Sequence, residues 1–137
     1  MILVDTNVIL GFLHPDPREK AIVRRQLTKI NSSTFQLVPP VLQEVMSFLR
    51  SPRYMDLFLE LIEDMNIEYL DPGNDVPWRE VLAWLKRYAE HRPDYADGYL
   101  VVLSGVNRKY KVWTNDREFR TIWRRPDGSA VPLAVRK

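Results

Sequence analysis

The sequence predicts an α/β domain of three layers, with a mainly parallel sheet of about five strands flanked by helices. Three observations lead there. "MILV" (1–4) is a short, continuous apolar run of the kind that forms a central strand buried on both faces. Short apolar-rich runs return at "FQLV" (35–38), "IEYL" (67–70) and "YKVWT" (110–114). Between them lie longer stretches with apolar residues at helical spacing, so strand and helix alternate along the chain.

The elements follow in order. Residues 6–13 form a short helix that "HPDP" breaks, and a longer helix runs from about Asp16 to Ile30 with Ala21, Ile22, Val23, Leu27 and Ile30 apolar. Pro39-Pro40 ends the second strand and presets the next helix, because proline suits the first helical turn. That helix runs through "VLQEVMSFLR" to about Ser51-Pro52, and another over about 53–65 leads to the third strand. "DPGNDVP" (71–77) is the clearest loop. After it, Trp78, Val81, Leu82, Leu85 and Ala89 recur at helical spacing until "HRPD" interrupts. A helix from about Tyr95 to Asn107 precedes "YKVWT", and "REFRTIW" forms a short helix. "AVPLAV" (130–135) is a possible last strand whose Pro132 suits a sheet edge.

The 137 residues suit one compact domain, 1–137, and are too few for two. Apolar residues make up 45% and charged residues 28%, an ordinary globular balance. No apolar run approaches the ~20 residues that cross a bilayer. The start lacks a basic segment, and Asp5 interrupts the place of a secretory apolar core. The expectation is a cytoplasmic protein. Cysteine is absent, which excludes disulfides, thiolate nucleophiles and cysteine zinc sites. Net charge is +2 and the sequence pI about 9.0, which permits nucleic acid as a partner without demanding it. Cations cluster at Arg24, Arg25 and Lys29, at Arg108, Lys109 and Lys111, and at Arg117, Arg120, Arg124 and Arg125. Solvated helix faces are the ordinary reading of such clusters.

Four acids stand out: Asp5, Glu44, Asp97 and Asp116. Each has a local explanation. Asp5 caps the helix beginning at Thr6; Glu44 lies on a solvated helix face, although Val41, Leu42, Val45, Met46, Phe48 and Leu49 leave that helix little polar surface. Asp97 follows Asp94 by three residues in "DYAD", close to a capping box, and capping accounts fully for Asp94. Asp116 caps the helix near Arg117. Taken together, the four have a second explanation. In open parallel sheets ligands bind beyond the carboxyl ends of the strands, which is where Asp5 and Asp116 fall. Carboxylates sharing one pocket repel, and a hard divalent cation such as Mg²⁺ or Mn²⁺ removes that cost. His14 and His91 have no partner at metal-ligand spacing, which speaks against zinc.

"VDTNVIL", the helical Glu of "PPVLQEV", "DGYLVVLS" and "VWTNDREF" together resemble the PIN domain, with a layout most similar to VapC-type toxin ribonucleases. The resemblance spans nearly the whole chain and rests on the ordered acids more than on any single motif. It implies that Asp5, Glu44, Asp97 and Asp116 are both catalytic and metal-binding, with Asn7 and Thr114 in support; Gly98 stands where the family more often has Ala. It also implies Mg²⁺- or Mn²⁺-dependent endoribonuclease activity on single-stranded RNA, a homodimer, and a small antitoxin protein that blocks the site. Arg117 and Arg120, next to Asp116, are candidate phosphate contacts, with a solvated helix face as the equal alternative. Trp113 is expected in the core, and Trp78 and Trp84 in packing or a dimer surface. A catalytically silent PIN-like module that binds RNA or protein remains the alternative, and DNA stays open as a substrate. A haloacid-dehalogenase-type phosphatase is disfavoured because Asn7 occupies the place of its second acid.

Overall fold

A computed structural model describes residues 1–31 and 34–136. The chain forms strand β1 (Ile2–Val4), helices α1 (Thr6–Phe12) and α2 (Pro17–Thr28), strand β2 (Phe35–Leu37), helices α3 (Pro39–Phe48) and α4 (Pro52–Asp64), and strand β3 (Glu68–Tyr69). Then come helices α5 (Trp78–Arg87) and α6 (Tyr95–Ser104), strand β4 (Lys111–Trp113) and helix α7 (Glu118–Thr121), with 3₁₀ turns at Gly73–Asp75 and Ala89–His91. All four strands are parallel in the order β3-β2-β1-β4. Leu3 pairs with Gln36 on one side and Val112 on the other.

The parallel sheet flanked by helices matches the expected class, with four strands in place of about five. The expected strand over 130–135 reduces to two isolated bridges, a parallel one between Val112 and Leu133 and an antiparallel one between Arg124 and Ala130. The Val112 N–H donates to the Pro132 carbonyl and the Ala134 N–H to the Val112 carbonyl. Pro132 itself has no N–H to extend the ladder, so the pairing stays one residue long at the sheet edge.

Local chemistry places the helix ends. Asp16 and Ser51 accept the N–H groups of Arg18 and Tyr54, and proline opens α2, α3 and α4. The third helix therefore begins at Pro39, two residues ahead of the apolar run at Val41. Asp94 and Asp97 form a full capping box on α6.

Burial explains the layering. Successive residues of β1 point to opposite faces, and Ile2, Leu3 and Val4 are all buried, so both faces of the sheet are covered. Helix α6 is apolar nearly all round, with Gly98 through Ser104 buried, and packs on α3, α5 and β4. Trp113 lies in the core, as expected, its indole N–H donating to Gln26 Oε1. Trp84 is also core, packed edge-on against Trp123, whereas Trp78 is exposed beneath the Arg79 guanidinium.

Two glycines set close helix approaches. A Cβ at Gly98 would press on Trp84, Val81 and Leu85 at 3.1–3.2 Å, which explains glycine where α5 crosses α6. At Gly11 the clash is harder: a Cβ would sit 2.8 Å from Cγ1 of the buried Val23. Overpacking of this kind costs about 1–3 kcal/mol. Gly11→Ala is therefore expected to lower the midpoint of urea unfolding without changing its slope; an unchanged midpoint would show that α2 yields freely.

Candidate active site

The strand order reverses between β1 and β4, because the chain builds β2 and β3 on one side of β1 and then returns to the other. Clefts in parallel sheets form at such points. Here the Asp5 N–H donates to the Trp113 carbonyl at 3.0 Å, which fixes the ends of β1 and β4 together. Asp5 follows β1 and Thr114 to Asp116 follow β4, so residues 109 apart in sequence meet.

The Thr114 hydroxyl is the junction. It donates to Asp5 Oδ2 at 2.8 Å and accepts from the Asp116 N–H at 3.0 Å. Asn7 Nδ2 donates to both Asp5 Oδ2 and Thr114 Oγ1 at 3.2 Å, while its Oδ1 accepts the Asn115 N–H at 2.9 Å. Asp5 Oδ1 accepts the Thr6 N–H at 2.8 Å, so Asp5 does cap α1, as its local reading expects. Gln26 on α2 braces the same strand end through Trp113 and Asn115.

A cleft of about 300 Å³ opens above this junction, lined by Asp5, Glu44, Asp94, Asp97 and Asp116, with Thr6, Asn7, Leu10 and Phe48 completing the wall. Five carboxyl groups from β1's end, α3, both ends of the α6 cap and β4's end share it, and among the described residues no basic side chain lines it. All four acids singled out in the sequence therefore converge. Glu44 is half-buried against this cleft instead of lying on an open helix face. Asp94 lines it as well as capping α6, a place that capping by itself does not show. Its spacing held the signal, since two acids bracketing one helix start lie at the same helix end.

The electrostatics record the crowding. Burial above all, and then the charges of Glu44 and Asp94, lift Asp5 from 3.8 to about 6, against the hydrogen bonds from Thr114 and Thr6. Burial and the charge of Asp94, with smaller effects of Asp5 and Asp116, lift Asp97 to about 8 against the Asp94 N–H. Glu44 is raised too, first by burial and then by Asp94; the Thr6 hydroxyl opposes this, facing Glu44 without closing a full hydrogen bond.

Among the described residues, no group of three or more His, Asp and Glu side chains is arranged to hold one metal ion. The donor set nonetheless fits a hard divalent cation: only oxygen donors are present, and they lack positive charge beside them. Asp97 gives Oδ2 to the Asp94 N–H and Asp116 gives Oδ1 to the Glu118 N–H, and among the described residues nothing donates to the other oxygen of either.

Arg117 and Arg120 do not line this cleft. Arg117 is exposed at the start of α7. Arg120 turns the other way, donating to the Arg136 carbonyl at 2.9 Å.

The model of one family, the PIN domain, matches residues 2–123. The chain belongs to the PIN domain family. All five acids of this PIN domain's cleft fall within the matched residues. Among solved structures, it is similar to the crystal structure of FitAcB from Neisseria gonorrhoeae, with 22% identity and a TM-score of 0.58 over 85% of this chain and 88% of that one. At that identity the likeness is one of fold. No curated protein sequence matches this PIN domain. Among the described residues, no helix is long and apolar enough to cross a membrane.

Proposed function

We propose that this PIN domain, read as a single domain over 1–137, is a Mg²⁺- or Mn²⁺-dependent endoribonuclease that cleaves single-stranded RNA. The observation that carries this reading is the convergence of Asp5, Glu44, Asp97 and Asp116 on one cleft that no basic side chain among the described residues lines. Family membership supports it, since PIN domains are generally nucleases and usually use divalent metals. Asp5, Asp97 and Asp116 are the metal-binding residues, and Glu44 holds a second ion or orients the attacking water. When bound, the cation lowers the pKa of that water and offsets charge growing on the phosphoryl oxygens. Thr114 and Asn7 fix the Asp5 carboxylate through the hydrogen bonds that already converge on its Oδ2. Glu44 lines the same cleft as Asp5, and where it orients the water its ionised carboxylate, made more basic by burial, accepts the proton that the water releases.

By its resemblance to VapC-type proteins, the chain acts in the cytoplasm as the toxin of a toxin–antitoxin pair. It works as a homodimer whose cleft a small antitoxin blocks. The test incubates purified protein with single-stranded RNA and matching DNA oligonucleotides, with Mn²⁺ or with EDTA. Internal cuts in RNA only when the metal is present are expected. RNA binding without any cut favours the silent binding module instead.

One wall residue is assigned to substrate. Phe48 is 63% exposed, one helical turn after Glu44, and lines the cleft. An aromatic face at the mouth of a phosphate-cleaving site stacks a nucleobase, worth about 1–3 kcal/mol. Phe48→Ala is therefore expected to raise KM about 5- to 150-fold with kcat little changed. Equal kinetics for Phe48→Ala and the wild type would remove Phe48 from the substrate path.

A further inference from the structure

A second surface feature lies along β4 and α7, and none of the cleft's acids line it. A cavity of about 560 Å³ flanks the outer edge of β4, between that strand, α7 and the segment 130–136. Lys111, Arg120 and Arg136 line it, over an apolar floor that includes Phe119, Val131 and Leu133. A second cavity of about 410 Å³ continues it toward the amino-terminal end of the sheet, adding Lys29 and Lys109 and sharing Lys111 and Ala134. The two form one groove along the sheet edge.

Its charge differs from that of the rest of the molecule. Among the described residues five cationic side chains line the groove and no acid does, although the whole chain carries only +2. Among the described residues the salt bridge found is Arg18–Asp16, so none of the five is neutralised by an acid. Arg120 is held at the groove by its bond to the Arg136 carbonyl. A row of cations that no acid among the described residues neutralises matches the phosphates that the backbone of a single strand offers. The groove also ends where it would serve the cleft. Phe119 and Arg120 line its upper end, and the Phe119 N–H donates to the carbonyl of Asp116, an acid of the cleft.

We propose that this groove binds the backbone of single-stranded RNA beside the cleft, as an extended site that holds the strand whose scissile phosphate reaches the acids. The role in cleavage rests on the nuclease reading; the binding itself does not. An acidic protein segment is the competing occupant of a cationic groove.

The experiment is fluorescence anisotropy with a labelled 15-nucleotide oligouridylate in EDTA, titrated at several salt concentrations. Wild type is compared with Lys109→Gln/Lys111→Gln/Arg136→Gln, three exposed positions, and with Lys20→Gln/Arg24→Gln/Arg25→Gln on α2, which removes the same charge elsewhere. The groove variant is expected to bind at least about tenfold more weakly, with the slope of log K against log salt smaller by about 2, since each phosphate contact on a single strand contributes about 0.7. The α2 variant should stay near wild type. Equal weakening of both variants would reduce the effect to net charge and overturn the proposal. So would unchanged oligouridylate binding by the groove variant, including the case in which it loses affinity for a poly-glutamate peptide. Melting curves check that both triple variants fold; the single variant Lys111→Glu, expected to weaken binding alone, replaces the triple if it does not. A parallel cleavage assay with Mn²⁺ separates the two readings. Cleavage by wild type with groove-independent binding removes the groove alone, whereas groove-dependent binding without cleavage removes the nuclease and leaves the groove.

Discussion

Asp5→Asn is expected to lower RNA cleavage by on the order of 100-fold or more while the protein stays folded. The carboxylate is 5% exposed and receives hydrogen bonds from Thr6, Thr114 and Asn7. Asparagine keeps an oxygen for the Thr6 N–H and so preserves the cap of α1. It turns an amide donor toward Asn7 Nδ2, also a donor, and that mismatch costs about 1–3 kcal/mol. In the other direction, asparagine removes a buried charge whose pKa burial had lifted to about 6, so the two effects on stability oppose each other. The expected result is a melting temperature within a few degrees of wild type and almost no activity. Unchanged metal-dependent turnover would take Asp5 out of the reaction; Thr114→Val, which loses only the hydroxyl on Asp5 Oδ2, should fall between the two.

The second large effect is on stability. In the unfolded chain Asp5 and Asp97 release their protons near pH 4, but in the folded protein they hold them up to about 6 and about 8, and Glu44 is shifted in the same direction. Between those values the folded state binds more protons than the unfolded one, so stability falls as pH rises. The contribution is fully present below about pH 4 and is lost through about pH 6 to 8. The protons belong to the cluster more than to any single residue, because five carboxyl groups interact across one cleft. In EDTA the melting temperature is therefore expected to drop between pH 5 and pH 8. Millimolar Mg²⁺ or Mn²⁺ should suppress that drop, since a cation bound only by the folded, ionised cluster stabilises by about 2.7 kcal/mol at 100 times its Kd. Asp97→Asn should flatten the EDTA curve. Melting curves that coincide at pH 8 with and without the cation would contradict an acid cluster that binds one.

Part of this site was readable residue by residue. An aspartate directly after a four-residue apolar run marks a strand ending in a charge, and the acid pair of "DYAD" announces a helix start. Both are local patterns, and local patterns depend on neighbours the sequence prints side by side. Arg120 shows where that stops. Its place three residues after Arg117 says nothing of which way it turns, and packing of 130–136 against β4 draws it to the Arg136 carbonyl, away from the acids. Asp94 shows a different limit: capping explains it completely in the sequence, and only the fold shows that it also lines the cleft.

By itself, then, the sequence determined the alternation of strand and helix, the caps, and a donor set of oxygens without sulfur, because periodicity, capping spacing and residue type act over a few residues. The tertiary structure decided which acids meet. Placing β4 beside β1 instead of beyond β3 brings Thr114 to 2.8 Å from Asp5 across 109 positions. That choice comes from long-range burial and strand pairing, and no local pattern records it. Among the described residues, the same choice left β4 with a one-residue bridge on its outer side, where Pro132 cannot extend a ladder, and so opened the cationic groove at the sheet edge.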